Sequence, residues 1–133
     1  MFLAILTDIE SQFASAAWTT HNVTTFPDNY MGKVGNLTEY VMLKVMPTSS
    51  ETVGYGVFKE QKGLVAVKIF VKAGEGQRRV MQIADLINPL LEHKHLTNGT
   101  ELGASYLNIE GLDPANSSLY SASYIIPFTK YGE

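Results

Sequence analysis

One stretch constrains this chain more than any other: Gly63 to Leu91, GLVAVKIFVKAGEGQRRVMQIADLINPLL. Its first part alternates. Val65, Val67, Ile69 and Val71 share one face of an extended strand, because strand side chains alternate with period two. Leu64, Ala66, Lys68 and Phe70 make the other face mixed, so one face is core and the other is partly wet or meets a partner. At Ala73-Gly74-Glu75-Gly76 the two glycines permit positive φ and a sharp reversal. Val80, Ile83, Ala84, Ile87, Leu90 and Leu91 then recur at three- and four-residue steps, the apolar stripe of an amphipathic helix. Arg78, Arg79, Gln82 and Asp85 lie largely off that stripe, and Pro89 predicts a kink or an end near Asn88.

The rest of the chain supplies what such a unit packs against. Residues 2–16 suit a second amphipathic helix with Phe2, Ile5, Leu6, Ile9, Phe13 and Ala16 on its stripe, while Asp8, Glu10, Ser11 and Gln12 mostly face away. Trp18 to Thr24 leans towards β structure but is polar, and Phe26-Pro27-Asp28-Asn29 reads as a turn leading into a glycine- and asparagine-rich loop. Glu39 to Met46 is a strand with Val41, Leu43 and Val45 on one face, and Pro47 closes it. Thr48 to Lys62 is the least determined segment. Its glycines, Gly54 and Gly56, allow a hairpin or an arm projecting from the body. Leu102 to Ile109 forms a further strand, and Glu110 to Asn116 is turn chemistry. Leu119 to Phe128 makes the last strand, with Pro127 pointing to an edge position or the strand's end.

This order predicts a single α+β domain over residues 1–133, a mostly antiparallel sheet of about four to five strands with two helices packed on one face. Lys44, Lys68, Ser121 and Ser123 are then candidates for the exposed sheet face. The composition agrees with a globular core, at 45% apolar and 17% charged residues. A net charge of −3 does not favour adhesion to nucleic acid or an anionic membrane. The absence of cysteine removes disulfides, thiolate metal sites and a cysteine nucleophile. The apolar start Met1 to Leu6 lacks a basic region and meets Asp8 and Glu10 too soon for a signal peptide. The sequons at Asn22, Asn36, Asn98 and Asn116 are incidental without one.

No catalytic constellation emerges. Gly74-Glu75-Gly76 between a strand and a helix invites a phosphate-binding reading. The third glycine of the dinucleotide fingerprint is replaced by Arg79, and no Gly-Lys-Ser/Thr follows, so a tight β–α connector is expected. His93 and His95 could share a metal at spacing two, but no third ligand is near in sequence. The carboxylates, Glu51, Glu60, Glu75, Asp85, Glu92, Glu101, Glu110 and Asp113 among them, fall mostly in turns or on a wet helix face. No cofactor is expected and no enzymatic activity is assigned.

Read with its flanks, the central stretch resembles the tail-terminator (tail-completion) proteins of long-tailed bacteriophages, the group that includes the lambda tail terminator. The likeness is carried by Gly63-Leu64-Val65-Ala66-Val67-Lys68-Ile69-Phe70-Val71, by the turn Lys72-Ala73-Gly74-Glu75-Gly76, and by Ile83-Ala84-Asp85-Leu86-Ile87. Phe26-Pro27, Val45-Met46-Pro47 and Tyr124-Ile125-Ile126-Pro127-Phe128 extend it over nearly the whole chain. The resemblance implies a virion protein, assembled in the host cytoplasm, that forms a ring, commonly a hexamer. Such a ring caps the tail tube, ends its growth and presents a joining surface to the head or neck. Its partners would be copies of itself, the tube protein and a connector or neck protein. DNA would pass through the lumen without sequence-specific binding, and no membrane is involved. The candidate subunit and tube contacts are Lys44, Glu51, Tyr55, Phe58, Lys59, Lys68 and Phe70. Other head–tail joining adaptors and tube subunits of the same virion are the alternative, and a small-molecule enzyme or binding module is a third class.

Overall fold

The computed structural model describes residues 1–28, 39–54, 56–114 and 116–132. In chain order its elements are α1 (Phe2–Ala14), α2 (Ala16–Thr19), β1 (Thr24–Pro27), β2 (Tyr40–Thr52), β3 (Lys59–Lys72), α3 (Arg78–Leu91), β4 (Glu101–Leu102), β5 (Tyr106–Asp113) and β6 (Asn116–Gly132). The sheet has six strands in the order β1-β2-β3-β6-β4, with β5 also paired to β6. It is mixed: β1 runs parallel to β2 and every other pairing is antiparallel. The expected α+β class and mostly antiparallel pairing hold, while the four to five strands and two helices are corrected, among the described residues, to six strands with one parallel pair and three helices.

Register explains the core. Val41, Ile69, Ala122 and Ile109 lie across one row of the sheet, and Leu43, Val67, Tyr124 and Leu107 across the next but one. These rows face α1 and α3, whose Ile5, Ile9, Phe13, Val80, Ile83, Ile87, Leu90 and Leu91 complete one apolar cluster. The two faces of β3 divide as its alternation predicts, and the α3 stripe is buried at all six expected positions. Burying such side chains stabilises by roughly 1.5–3 kcal/mol each, which is why both periodicities survive folding.

Several boundaries differ for identifiable reasons. α1 stops at Ala14, where Ser15 turns to extended backbone and caps with its hydroxyl on the Gln12 carbonyl at 2.6 Å. Trp18 then sits in a helical turn, not a strand. It is buried edge-on to Phe13 at 5.1 Å and donates its indole N–H to Thr25 Oγ1 at 2.8 Å. Asp8 faces inward, against expectation, while Phe2 and Leu6 are exposed. The Asp8 carboxylate accepts from the Asn98 N–H at 2.9 Å and the Thr100 hydroxyl at 2.7 Å, tying α1 to the loop before β4. Gln12 also points inward, donating to the Leu90 carbonyl at 2.6 Å.

The prolines cost less than expected. α3 carries Pro89 inside and continues to Leu91. β2 runs on past Pro47 through a register shift before Ser49, on an edge that β1 covers only as far as Leu43. Pro127 lies in the interior strand β6. Its carbonyl accepts from Gly103 N–H at 3.0 Å, so its missing N–H faces the gap between β4 and β5 rather than β3. The strand expected over Leu102 to Ile109 is split into β4 and β5. β5 continues to Asp113 through a shift beside Gly111, whose φ is 90°, in a segment expected to be a turn.

Candidate assembly interface

Residues 48–52 and 59–62 form the outer half of the β2–β3 hairpin. Ser49 pairs with Lys62 and Thr52 with Lys59, and the Val53 N–H donates to the Phe58 carbonyl at 2.9 Å. Gln61 is buried and donates to the Ser49 carbonyl at 2.8 Å, which stiffens the arm from within. On its other side the arm is held by β6, through Lys59 opposite Gly132 and Glu60 opposite Tyr131. The Phe58 and Tyr131 rings stack at 6.5 Å. Beyond them the arm ends in Gly54 and Gly56, with Val57 64% exposed.

The expected contact residues divide. Lys44, Glu51 and Lys59 are exposed, and Phe58 is 43% exposed. Lys68 is half-buried, with Nζ 5.2 Å from the Phe70 ring centroid. Phe70 is only 5% exposed, stacked on Tyr40 at 4.6 Å, and is committed to packing inside the subunit. Tyr55 lies outside the described residues. The exposed sheet face is thus less polar than expected. Tyr40, Phe70 and Leu119, with Phe26 and Met42 beside them, build a second apolar cluster there. Ser121 is buried, and Ser123 donates to Glu110 Oε1 at 2.6 Å. Phe26, in the expected turn, reaches this cluster because β1 adds parallel to β2 and places it opposite Met42.

A groove of about 370 Å³ opens where β1 ends and where, among the described residues, β2 has no further strand on its outer edge. It is lined by Phe2, Leu3 and Leu6 of α1, by Pro27, and by Leu43, Val45 and Pro47 of β2, with Glu10 and Asp28 beside them. Sequence reasoning missed this feature. The stripe reading places Phe2 and Leu6 in the core, whereas both are exposed and line the groove. The available signal was that the apolar positions of α1 outnumber one stripe.

The sites weighed for chemistry are structural in geometry. Gly74 and Gly76 have φ of 89° and 75°, the conformation a tight connector needs. Arg79, in place of a third glycine, makes a two-pronged ion pair with Glu39 at 2.7 and 2.6 Å. His95 Nδ1 lies 3.5 Å from Glu101, and no group of three potential metal ligands occurs among the described residues. A polar network does exist between α3 and β5. Glu92 accepts from the Ser105 hydroxyl at 2.6 Å and its N–H at 3.0 Å, and Asn88 accepts from the Tyr124 hydroxyl at 2.5 Å. The Ser105 bonds, hydroxyl first, hold the Glu92 carboxyl below its usual range, while burial first of all raises the Tyr124 phenol. These groups fasten β5 to α3, and no described helix is long and apolar enough to cross a membrane.

No protein-family model matches the chain, and no curated protein matches its sequence. Solved structures do. One is 13% identical, with a TM-score of 0.67 over 98% of this chain and 95% of that one. Another is a chain of the virion of a native gene transfer agent particle. It is 11% identical, with a TM-score of 0.62 over 95% of this chain and 93% of that one. At these identities the likeness is one of fold, and it spans essentially the whole of both chains.

Proposed function

We propose that this chain is a structural subunit of a phage-like virion. In this reading copies of it close into a ring, a hexamer as the resemblance implies, that caps the tail tube, stops its growth and joins it to the head or neck. The observation that carries the reading is the shared fold over 95% of the chain with a component of a gene transfer agent virion. The resemblance of the Gly63–Leu91 stretch to tail terminators is what favours a terminator over other virion components in this reading. The geometry is compatible. Exposed apolar residues gather on the arm and on the groove beside β2. The reading assigns the chain no catalysis and no cofactor.

Native mass spectrometry tests the ring: a hexamer of 14.7 kDa chains has a mass near 88 kDa, six times that value. Electron microscopy of tails tests the position. One ring at the top of the tube supports a terminator. A ring at the head or many stacked rings would assign the chain to the second reading, a head–tail joining adaptor or tube subunit. That reading stays in view because the structural neighbour is a chain of a virion, which fits either role. A chain that stays monomeric and never associates with tubes or neck components would end both.

A further inference from the structure

Two features of this subunit are unpartnered among the described residues and are complementary. The first is the groove at the outer edge of β2, with an apolar floor that includes Leu3, Leu6 and Val45 and two acids, Glu10 and Asp28, in its lining. Leu3 is 75% exposed there, and neither acid has an ion pair among the described residues. The second is the end of the β2–β3 arm, where exposed Val57 stands two residues from exposed Lys59. Lys62 is already paired with Glu60 at 2.8 Å. Lys59 has no such partner among the described residues, so it is the arm's available cation.

We infer that the groove of one copy receives the arm end of a second copy, with Val57 seated on the apolar floor and Lys59 facing Glu10 and Asp28. The charges match in sign, and each side offers apolar surface bordered by that charge. The arm cannot fill its own groove. Pairing of Thr52 with Lys59 and the Val53–Phe58 bond hold it extended. The six residue steps from Pro47 to Val53 carry its end about 20 Å away. Beside the groove, β2 beyond Leu43 has no strand partner on its outer edge among the described residues, so backbone groups are available to an incoming segment. Because the two surfaces lie on different parts of the same chain, the contact is head-to-tail, and head-to-tail contacts repeat until they close into a ring or run on as a filament. The inference rests on the ring reading and supplies its contact.

The chain's lack of cysteine makes the test direct. A Val57→Cys chain is mixed with a Leu3→Cys chain under mild oxidation, with Met81→Cys, exposed on α3, as control. The Val57–Leu3 crosslink is expected to exceed both homodimers and the Met81 pairs by about tenfold, reflecting the effective concentration that a specific contact creates. Lys59→Glu should lower its yield up to about fivefold, the range of an exposed ion pair, and adding Glu10→Lys on the groove should restore it. Predominant Val57–Val57 crosslinks would overturn the inference in favour of a symmetric arm contact. A yield indifferent to Lys59→Glu would overturn the role of that lysine. Electron microscopy of the same samples separates the remaining cases. Rings without the Val57–Leu3 crosslink overturn this contact, leave the ring standing and give the groove to another partner. Absence of both crosslinks and rings, with and without tail tubes, overturns contact and ring together.

Discussion

Ser105 and Gly63 show how single residues hold this sheet to its helices. Ser105 places two donors on one carboxylate oxygen of Glu92, at 2.6 and 3.0 Å, and so stabilises the charged form. A carboxyl depressed in the folded state contributes stability that is present above its unfolded pKa and lost as pH falls through the folded one. The contribution of Glu92 is therefore expected at neutral pH and is lost below its ordinary value of 4.5. Ser105→Ala should move the Glu92 titration up towards that value, as followed by carboxyl-carbon NMR, and flatten the acid limb of the stability profile. An unchanged titration would mean that the hydroxyl bond is not made in solution. Gly63 acts by size. A Cβ there would lie 2.6 Å from the Phe128 ring and closer still to the Met46 carbonyl, across the two strands that flank β3. The carbonyl is backbone and cannot swing aside, so Gly63→Ala is expected to cost about 3 kcal/mol, read as a lower urea midpoint at unchanged slope. Gly63, inside β3, is thus there for close approach, a reason its position in the sequence does not disclose.

Among the elements, the β2–β3 arm separates folding from assembly most cleanly. Replacing residues 53–58 with Asn-Gly would join Thr52 to Lys59 through a two-residue turn that suits a hairpin. The loss to the isolated subunit is the Phe58–Tyr131 stack, about 1 kcal/mol, so thermal unfolding should shift little. Assembly should be abolished, and sedimentation of the variant against the parent chain measures both. How legible each element was follows from what determines it. β3 and α3 were readable because one periodic face of each is wholly buried, and burial on that scale overrides everything else. β2 past Pro47 and β6 past Pro127 were not. A proline ends a strand only where its missing N–H is needed, and here both face an open edge or a gap. The parallel addition of β1 was hidden for a different reason. Its four residues are specified by where the chain returns in space, not by their own pattern. Asp8 was misplaced because its burial depends on three donors in residues 98–100, a long way off in sequence. The groove was invisible for the same kind of reason, since it exists only where α1 meets the outer edge of β2.

At the scale of the molecule, size and charge bear on what a ring of these subunits could do. A domain of 133 residues has a radius of gyration of about 14 Å, hence a diameter of roughly 36 Å as a uniform sphere. Six equal touching spheres leave a central opening as wide as one of them, which arms and termini can narrow and still admit a duplex. Each chain carries a formal charge of −3, so six carry 6 × −3 = −18. The described lysines are moreover partly used within the subunit. Lys62 pairs with Glu60, Lys72 lies 3.7 Å from Glu75, and Lys130 bonds the Asn98 carbonyl. Duplex DNA binding rises with the number of phosphates a protein neutralises and falls steeply with salt. An assembly with a strong negative excess and few available cations should let DNA pass without holding it. Assembled rings are therefore expected not to retard a duplex in a gel at about 50 mM salt, where even nonspecific binders bind well. Retardation that weakens as salt is raised would place a basic surface on the lumen and contradict the prediction. The same measurement on chains with residues 53–58 replaced by Asn-Gly, which keep the formal charge and should not assemble, is the matched control, because a basic lumen exists only once the ring has closed.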